Sequence, residues 1–491
     1  MPSQTHSSRW PRRWLLWMIA GLILRLLFTY FPRPIDPDTL DYLQLGHNLL
    51  HHGIYGMGDG NDVAPTLFRL PGYPIFLATF ELLFAVIWPG GWFNAVFLAQ
   101  SIAGIGAGLL LAAFARRHLS DRAAEVALIL AMLCPFTAVY DAVAITESLS
   151  ISAVALGIYA AGRALAAETA GRRDRWALIL AGGASAVAML LRPDGILLFA
   201  SLAAGIFFYS LRGPAAIQTP RASFRRAFSA ASVVCLIALL PLVPWTLRNA
   251  AQFHVFQPLA PRYTNDPGNR VNLGFYRWLR TWVIEYVSTA NVAWNAGEGP
   301  LDPTDLPARA FDSPGQRDQT LHLIADYNLH DDLTPSLDNR FGVIADQRIR
   351  AHPFRYSVTL PVLRVADMLL RPRTETFYLD VFWWRWSEHP AQTIAAIFLG
   401  LLNLAYVGAA AWAFLVRRVP WAWMLGAYLM LRFALLGSIE HPEPRYTLEC
   451  FPIFIVAAAA VFTRATPCAA AALSPSQPIE SQSPVRQSSS G

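Results

Sequence analysis

The sequence predicts an all-α polytopic membrane protein, a bundle of about ten transmembrane helices with interfacial helices in its first long loop. Three observations support this fold class. Hydrophobic residues make up 54% of the 491 residues, charged residues only 15%, and the mean hydropathy is +0.35; a soluble protein carries about 25% charged residues. Apolar stretches recur along the chain. Arginines cluster in the short connections between them.

The candidate spans are the apolar stretches near the length of about 20 residues that a spanning helix needs. The first apolar stretch, Trp14–Phe31, is too long for a signal-peptide core and lacks a small-residue cleavage site, so it is interpreted as a retained anchor. In chain order the ten candidate spans are 14–32, 92–114, 122–140, 147–163, 175–192, 195–211, 228–247, 391–416, 420–437 and 447–463.

The basic residues indicate the direction of these spans. All 39 basic side chains are arginine, and positive charge marks the cytoplasmic loops of membrane proteins. With ten spans, every cluster falls on the side of the N-terminus, which predicts that both termini are cytoplasmic. The net charge of +6 is then a sign of topology, and nucleic acid is not expected as a partner. The clusters are Arg9/Arg12/Arg13, Arg116/Arg117/Arg122, Arg163/Arg172/Arg173/Arg175, Arg212/Arg221/Arg225/Arg226 and Arg417/Arg418.

The stretch 73–89 is apolar enough to be an eleventh span. Counting it would place Arg116 and Arg117 outside and would invert the three clusters that follow. The stretch is therefore interpreted as a helix that lies at the outer membrane interface or dips into it.

Two long connections are predicted outside the membrane. We call 33–91 the first loop and 248–390 the late segment, which is expected to be a small folded cap or a segment resting on the membrane. The other parts are a cytoplasmic N-terminus (1–13), a transmembrane core (14–247), C-terminal helices (391–463) and a disordered cytoplasmic tail (464–491). The four cysteines imply no disulfide framework. Tryptophans of the late segment that suit a bilayer interface are Trp278, Trp282, Trp383, Trp384 and Trp386.

The first loop opens with three closely spaced carboxylates, Asp36, Asp38 and Asp41. They lead into a stretch of helical periodicity, 39–50, which Thr39 is expected to cap. One interpretation is that the acids solvate the start of this helix and favour its dipole. The other is a general base at the membrane edge, or neighbouring carboxylates that raise one another's pKa or hold a divalent cation.

Further charged residues reach the same predicted face. Arg69 stands at a Pro-Gly-Tyr-Pro turn, either as an arginine that contacts lipid headgroups or as a ligand for phosphate. Glu147 lies where the third span ends and the fourth begins, and a carboxylate at that depth is costly and hence a functional candidate. Together these groups suit a substrate that bears phosphate on a lipid and is handled beside the bilayer. The other members of this face are Arg192, Arg248 and Arg445.

The sequence predicts no metal ligand. The histidines His47, His51, His52 and His441 show no metal-site spacing and are interpreted as surface residues. The sequence also lacks a Walker loop, a dinucleotide fingerprint and a Gly-x-Ser-x-Gly motif. No obligatory cofactor is predicted, with a divalent cation as the alternative.

Several of these motifs resemble those of the GT-C glycosyltransferases, and more closely the bacterial branch related to protein O-mannosyltransferases and lipid A aminoarabinose transferases. The resemblance covers about residues 14–250 in order, and a further short match lies near the C-terminus. The chain departs from many relatives at Asp38-Thr39, where they have Asp-Glu. The matching residues are Asp36-Pro37-Asp38 before Tyr42, Arg69 before Pro71-Gly72-Tyr73-Pro74, Glu147, Arg192-Pro193-Asp194, Pro244-Trp245 with Arg248-Asn249, and Arg445-Tyr446.

The resemblance implies a transferase that moves a hexose or pentose, with inversion, from a polyprenyl-phosphate donor. The acceptor would be a lipid, a glycan or a protein on the periplasmic side of the bacterial inner membrane. Asp38 would be the base, and the departure at Thr39 leaves Asp36 or Asp41 able to share that role. No obligatory metal is expected, because arginines can neutralise a leaving monophosphate.

The resemblance also assigns roles to the remaining residues of the face. Glu147 would orient the acceptor or a catalytic partner. Residues expected to hold the donor phosphate are Arg69, Arg192 and Arg445, and those expected to position the substrate are Tyr42, Tyr73, Arg248 and Tyr446.

Two other functional classes fit part of the pattern. A transporter or flippase of lipid-linked saccharides should carry charges in mid-membrane and broken, paired helices. Here only Arg25 and Arg432 are clear ionisable residues deep within spans, and the candidates gather at one edge. An O-antigen polymerase or ligase, with a lipid-diphosphate donor, would have a large late loop such as the late segment, but the early acidic motif argues against it. The sequence therefore favours the lipid-phosphate-dependent glycosyltransferase.

Overall fold

The fold is described from a computed structural model over residues 12–31, 36–212, 219–330 and 332–463. The predicted disordered tail, with Cys468, lies outside these residues. Two short strands in the first loop, β1 (Gly56–Met57) and β2 (Ala64–Pro65), pair antiparallel. The helices are α1 (Arg12–Tyr30), α2 (Pro37–His52), α3 (Gly72–Phe84), α4 (Trp92–His118), α5 (Asp121–Met132), α6 (Pro135–Ala138), α7 (Glu147–Thr169), α8 (Arg175–Leu191), α9 (Ile196–Leu211), α10 (Pro220–Leu239), α11 (Leu242–Phe253), α12 (Leu273–Arg280), α13 (Tyr286–Ser288), α14 (Pro314–His330), α15 (Pro335–Ala351), α16 (Leu360–Leu370), α17 (Pro390–Leu415), α18 (Ala422–Gly437) and α19 (Phe451–Ala460).

The predicted all-α, multi-pass fold class is confirmed. Within the described residues, six helical stretches are long and apolar enough to cross a membrane: α1, α4, α7, residues 193–211, α10 and α17. A seventh arises if α5 and residues 135–142 form one bent span. The other three predicted spans coincide with shorter helices, namely α8, α18, and α19 with the 3-10 helix (Pro444–Cys450) before it. The total of ten therefore stays a prediction.

Prolines interrupt two of the predicted spans. The helix axis bends by 47° between α5 and the stretch that starts at Pro135, because a residue that precedes proline is pushed out of the α conformation. Cys134 accordingly has extended backbone angles. The predicted span 228–247 is also divided at a proline, since α10 ends before Pro241 and α11 begins after it, but here Leu240 and Pro241 keep helical backbone angles.

The last helix is the centre of the bundle. All ten residues of α19 are buried, and the helix packs against α17, α5, α4 and α7. Its last four residues, Ala457–Ala460, are alanines, and small side chains let helices approach closely where no hydrophobic effect drives them together. Because α19 follows directly after the Arg445 motif, its packing fixes where that motif lies.

The late segment has a hydrophobic core of its own. In it α12 packs against α15, and Phe275, Trp278 and Phe341 contact one another with ring centroids 4.9–5.5 Å apart. Trp278 and Trp282 are fully buried there, so their predicted place at a bilayer interface is wrong. Their indoles fill a protein core, the environment in which aromatic rings contribute most apolar area.

The first loop is built on two helices in close contact. Asp36, and not the predicted Thr39, caps α2: its Oδ1 accepts the backbone N–H of Asp38 at 2.9 Å. Pro37 occupies the first helical position, where a missing N–H costs nothing. Gly46 lets α2 approach α3, because a Cβ at this position would lie 2.8 Å from the carbonyl oxygen of Pro74. This contact sets the distance between the start of α2 and the turn that precedes α3.

Candidate active site

The carboxylates of the first loop meet an arginine at the start of α2. Asp38 and Asp41 are three residues apart and therefore lie on one face of the helix. Arg69 reaches both: its Nη2 donates to Asp38 Oδ1 at 2.5 Å and to Asp41 Oδ2 at 3.0 Å. The guanidinium also lies 5.4 Å from the ring centroid of Tyr42, at cation–π distance.

A second arginine comes to the same carboxylates from the far end of the chain. Arg445 Nη2 donates to Asp38 Oδ2 at 2.8 Å, across 407 residues of sequence, and Nη1 donates to Asp36 Oδ2 at 3.1 Å. The Nε atom of Arg445 lies 2.7 Å from Glu443 Oε1. Both oxygens of Asp38 are thus paired with different guanidiniums.

A neighbouring group forms around Arg192. Its Nη1 donates to Glu147 Oε1 at 2.9 Å, and its Nε lies 3.3 Å from oxygens of Asp194 and Glu449. Glu147 Oε1 is also 3.8 Å from Arg445 Nε, which joins the two groups. The ring of Tyr446 lies between them, 5.6 Å from the guanidinium of Arg192 and 5.7 Å from that of Arg445.

Carboxylates outnumber arginines in this combined cluster, by seven to four. Each of the four arginines is paired with at least one carboxylate. The carboxylates are Asp36, Asp38, Asp41, Glu147, Asp194, Glu443 and Glu449, and the arginines are Arg69, Arg192, Arg432 and Arg445.

The surroundings shift the pKa values of these acids in opposite directions. Burial raises the pKa of Asp38, but Arg445 and Arg69 outweigh it and the net pKa lies below 3.8. Burial raises the pKa of Asp36 and is only partly opposed by Arg445. Burial also raises the pKa of Glu443 to about 7, against Arg445 and with the help of Asp38. The cluster therefore contains one strongly ionised carboxylate and one that titrates near neutrality.

Four members of the cluster are not among the predicted site residues. Asp194 and Glu443 lie inside the motifs that contain Arg192 and Arg445, and Glu449 lies at the start of the last predicted span. Arg432 is one of the two charges predicted deep within spans; its Nη2 lies 2.5 Å from Glu449 Oε2 and 3.2 Å from Asp194 Oδ2. The available signal was the cost of a charge in an apolar span, which predicts a partner.

Two predicted site residues lie elsewhere. Tyr73 is fully buried, with its hydroxyl donating to Gln100 Oε1 at 2.7 Å, and it touches the cluster only through its edge contact with Tyr42. Arg248 donates to the carbonyl oxygens of Thr66 and Tyr55 at 2.7 and 2.8 Å. Its guanidinium thus ties the first loop to α11.

Residues 71–245 match the family model of the dolichyl-phosphate-mannose-protein mannosyltransferases. The predicted resemblance to protein O-mannosyltransferases is confirmed over this segment. The match contains Glu147 and Arg192, whereas Asp38, Arg69 and Arg445 lie outside it. No curated protein matches the chain.

Two solved structures are similar in overall path. One is the oligosaccharyltransferase AglB from Archaeoglobus fulgidus, in complex with an inhibitory peptide and a dolichol-phosphate (12% identity, TM-score 0.49, 91% of this chain and 50% of that one). The other is ArnT from Cupriavidus metallidurans bound to undecaprenyl phosphate (13% identity, TM-score 0.35, 91% of this chain and 77% of that one). The chain thus spans about half the length of the oligosaccharyltransferase. The all-α fold class is shown by the chain's own helices.

Proposed function

We propose that the chain is a membrane glycosyltransferase that moves a sugar from a polyprenyl-phosphate donor to an acceptor hydroxyl at the non-cytoplasmic face, with inversion. The observation that carries the proposal is the convergence of Arg69 and Arg445 on the two oxygens of Asp38. A base and two phosphate ligands at one point are what such a transfer needs. The family match of residues 71–245 supports the same chemistry.

The two guanidiniums suit the donor phosphate. A guanidinium presents a planar fork that matches phosphate oxygens in bidentate fashion. Arg69 now contacts Asp38 and Asp41 through Nη2 alone, and Arg445 contacts Asp36 and Asp38 through Nη1 and Nη2. The phosphate of the donor carries oxygens of the same kind and would replace these carboxylates as partner.

Donor binding would then release the base. Asp38 with both oxygens paired is a weak proton acceptor, since the arginines hold its pKa below the ordinary value. As the phosphate takes over Arg69 and Arg445, a lone pair of Asp38 is freed next to the donor. The acceptor hydroxyl attacks the anomeric carbon and its proton passes to Asp38. The bond between that carbon and the phosphate oxygen breaks, and its electron pair leaves with the polyprenyl phosphate.

The other two aspartates are less suited to the role of base. Asp36 uses one oxygen to cap α2 and the other to bind Arg445. Asp41 is paired only through Oδ2 to Arg69, and its side chain is 31% exposed, so solvent competes at that position. Glu147 lies on the other side of Arg445, where it would orient Arg192 and the acceptor.

The deep charges of the spans do not favour a transporter. Arg25 is 2% exposed, and its Nε donates to Asp141 Oδ2 at 2.6 Å while Nη1 donates to two carbonyl oxygens. Ser148 donates to the other oxygen of Asp141. A pair satisfied in this way locks helices together, whereas a transport pathway needs groups that can exchange partners.

Transfer of labelled sugar tests the proposal directly. Purified protein in nanodiscs is supplied with polyprenyl-phosphate sugars, and the Asp38→Asn variant is compared with wild type. We expect transfer by the wild type and a loss of about 10²-fold or more in the variant, while the variant still unfolds in one cooperative transition. The matched control is Asp62→Asn, an exposed acid in the same loop, which should keep full activity. Full activity of a folded Asp38→Asn protein would remove Asp38 from the mechanism, and absence of both transfer and polyprenyl-phosphate binding would reject the function.

A further inference from the structure

A second group of ligating side chains lies at the other end of α2, apart from the acidic cluster. His47 and His51 are four residues apart on this helix, with ring centroids separated by 4.3 Å. Glu81 reaches them from α3: its Oε1 lies 2.8 Å from His47 Nδ1 and 3.2 Å from His51 Nε2. One ligand atom from each of the three residues falls within 4.8 Å of the other two. Among the described residues, these three are the group of three or more histidine, cysteine, aspartate or glutamate side chains whose ligand atoms lie this close to one another.

We propose that His47, His51 and Glu81 bind a divalent transition-metal ion such as Zn²⁺. Neutral imidazole nitrogens and a carboxylate oxygen are ligands that Zn²⁺ accepts, with bonds of about 2.0–2.2 Å. Tetrahedral ligands at that radius lie roughly 3.3 Å apart, close to the present separations between the nitrogens and Glu81 Oε1. Water would complete the coordination.

The surroundings leave the site open to an ion. The side chains of His47 and His51 are 54% and 49% exposed, so the ion does not have to cross protein to reach them. Glu81 is mostly buried, with 14% of its side chain exposed, and its position is set by α3. Two flexible ligands beside one fixed carboxylate can adjust to the metal without moving a helix.

The backbone beneath the site is already held in place. Between the three ligands and the acidic cluster lies the contact of Gly46 with Pro74, where α2 and α3 nearly touch. A bound ion would therefore join two helices that need no rearrangement, which favours binding because little conformational entropy is lost. α2 carries Asp38, and α3 follows the turn that contains Arg69. A bound ion would therefore connect the two helices that position these residues.

Titration with zinc chloride alone tests the site, and it does not depend on the proposed transfer activity. Full-length protein in nanodiscs is stripped with a chelator and titrated by calorimetry, as wild type and as His47→Ala, His51→Ala and Glu81→Gln. We expect one binding event in the wild type that weakens at least tenfold in each variant. The matched control is His52→Ala, an exposed histidine in the same turn that lies outside the group, and it should bind as the wild type does.

Two further measurements separate this site from other places where zinc could bind. The event should persist in Asp38→Asn, because that carboxylate belongs to the acidic cluster. Zinc should raise the unfolding temperature of the wild type and of His52→Ala, but not that of the His47→Ala/His51→Ala protein. Absence of a binding event in the wild type, an event unchanged by the histidine substitutions, or one abolished only by Asp38→Asn would each overturn the proposal.

Discussion

At the scale of single residues, Asp38 connects the two ends of the chain. It belongs to the first turn of α2, and its two oxygens are held by Arg69 from the first loop and by Arg445 from the turn before α19. A carboxylate held in this way stays ionised, and its proton affinity is low until one arginine finds another anion. The reactivity of Asp38 is therefore controlled by whatever binds the two arginines.

The shape of the guanidinium gives the first prediction. In Arg69→Lys the charge remains but the fork is lost, so a bidentate contact with phosphate becomes a single one. We expect the donor KM to rise about tenfold, corresponding to ~1.4 kcal/mol, in initial-rate measurements with varied polyprenyl-phosphate sugar. Arg340→Lys, an exposed pair partner of Asp326 in the late segment, serves as control. An unchanged donor KM in Arg69→Lys would mean that Arg69 does not contact the phosphate.

The raised pKa of Glu443 gives the second prediction. Because its pKa in the folded protein is about 7 and the ordinary value is 4.5, folding favours the protonated form. The stability that this group contributes is fully present below about pH 4.5 and is lost as pH rises through 7. The wild type should therefore lose up to about 3 kcal/mol between pH 5 and pH 8, since one pKa unit is ~1.4 kcal/mol.

Thermal unfolding across that pH range checks this expectation. Glu443→Gln cannot ionise and should lose much less stability than the wild type as pH rises. Glu298→Gln, an exposed acid in the late segment, should follow the wild-type curve. Parallel curves for Glu443→Gln and wild type would show that Glu443 titrates in its ordinary range.

Part of the candidate site could be predicted from the residue types in the sequence, and the rest could not. Asp38, Arg69 and Arg445 could be selected from the sequence because short motifs with prolines place them at ends of helices. Glu443 could not, because an acid in a turn is usually solvated, and Glu449 could be expected only as the partner of a deep charge such as Arg432. Only the packing of α19 buries these two and turns them toward arginines.

At the scale of elements, the contact between α2 and α3 yields the third prediction. In Gly46→Ala the new Cβ would lie 2.8 Å from the carbonyl oxygen of Pro74, a backbone atom that cannot rotate away. We expect a destabilisation of about 1–3 kcal/mol and a weaker donor affinity, because Asp38 moves relative to Arg69. Gly183→Ala in α8 is the matched control: nothing lies within 4 Å of its Cβ, and it should be neutral or stabilising by ~0.5–1 kcal/mol. Equal unfolding temperatures for both variants would contradict the close packing.

A buried arginine that joins three elements yields the fourth prediction. Arg364 of α16 donates to the carbonyl oxygens of Val283 at 2.8 Å, Gly437 at 3.1 Å and Arg280. Lysine cannot reach three carbonyls from one fork, so Arg364→Lys should lower the free energy of unfolding by about 1–3 kcal/mol. Denaturant unfolding of this variant, with Arg340→Lys as exposed control, makes the measurement. If the free energy of unfolding falls no more than in the control, other contacts hold α16 against α12 and α18.

The bounds of the helices could be predicted where an apolar stretch contains no internal proline. The apolar stretches placed α1, α4, α7 and α17 because length and composition suffice for a straight span. The breaks at Pro135 and Pro241 were missed, since a proline in an apolar stretch can kink a helix or end it. Which occurs depends on neighbouring helices that satisfy the freed backbone groups, and those neighbours are not adjacent in sequence.

At the scale of the whole molecule, the side of the membrane decides what the cluster can do. The start of α2, the turn at Arg192 and the turn at Arg445 meet in one cluster, so they lie at one face. The arginine clusters at 116–122 and 163–175 belong to the opposite ends of the helices between them. If positive charge marks the cytoplasm, Asp38 faces away from it, where a lipid-linked donor rather than a nucleotide sugar is the available substrate.

Labelling of single cysteines gives the last prediction. In a background without native cysteines, Asp62→Cys in the first loop, Asp318→Cys in α14 and Ala170→Cys after α7 all place a thiol at an exposed position. A membrane-impermeant maleimide should label the first two in intact cells and Ala170→Cys only after permeabilisation. If Ala170→Cys reacts in intact cells, the orientation of the spans in the membrane is the reverse of the predicted one and Asp38 faces the cytoplasm. The measurement is decisive because every charge cluster between α4 and α10 changes side together, and the proposed donor changes with them.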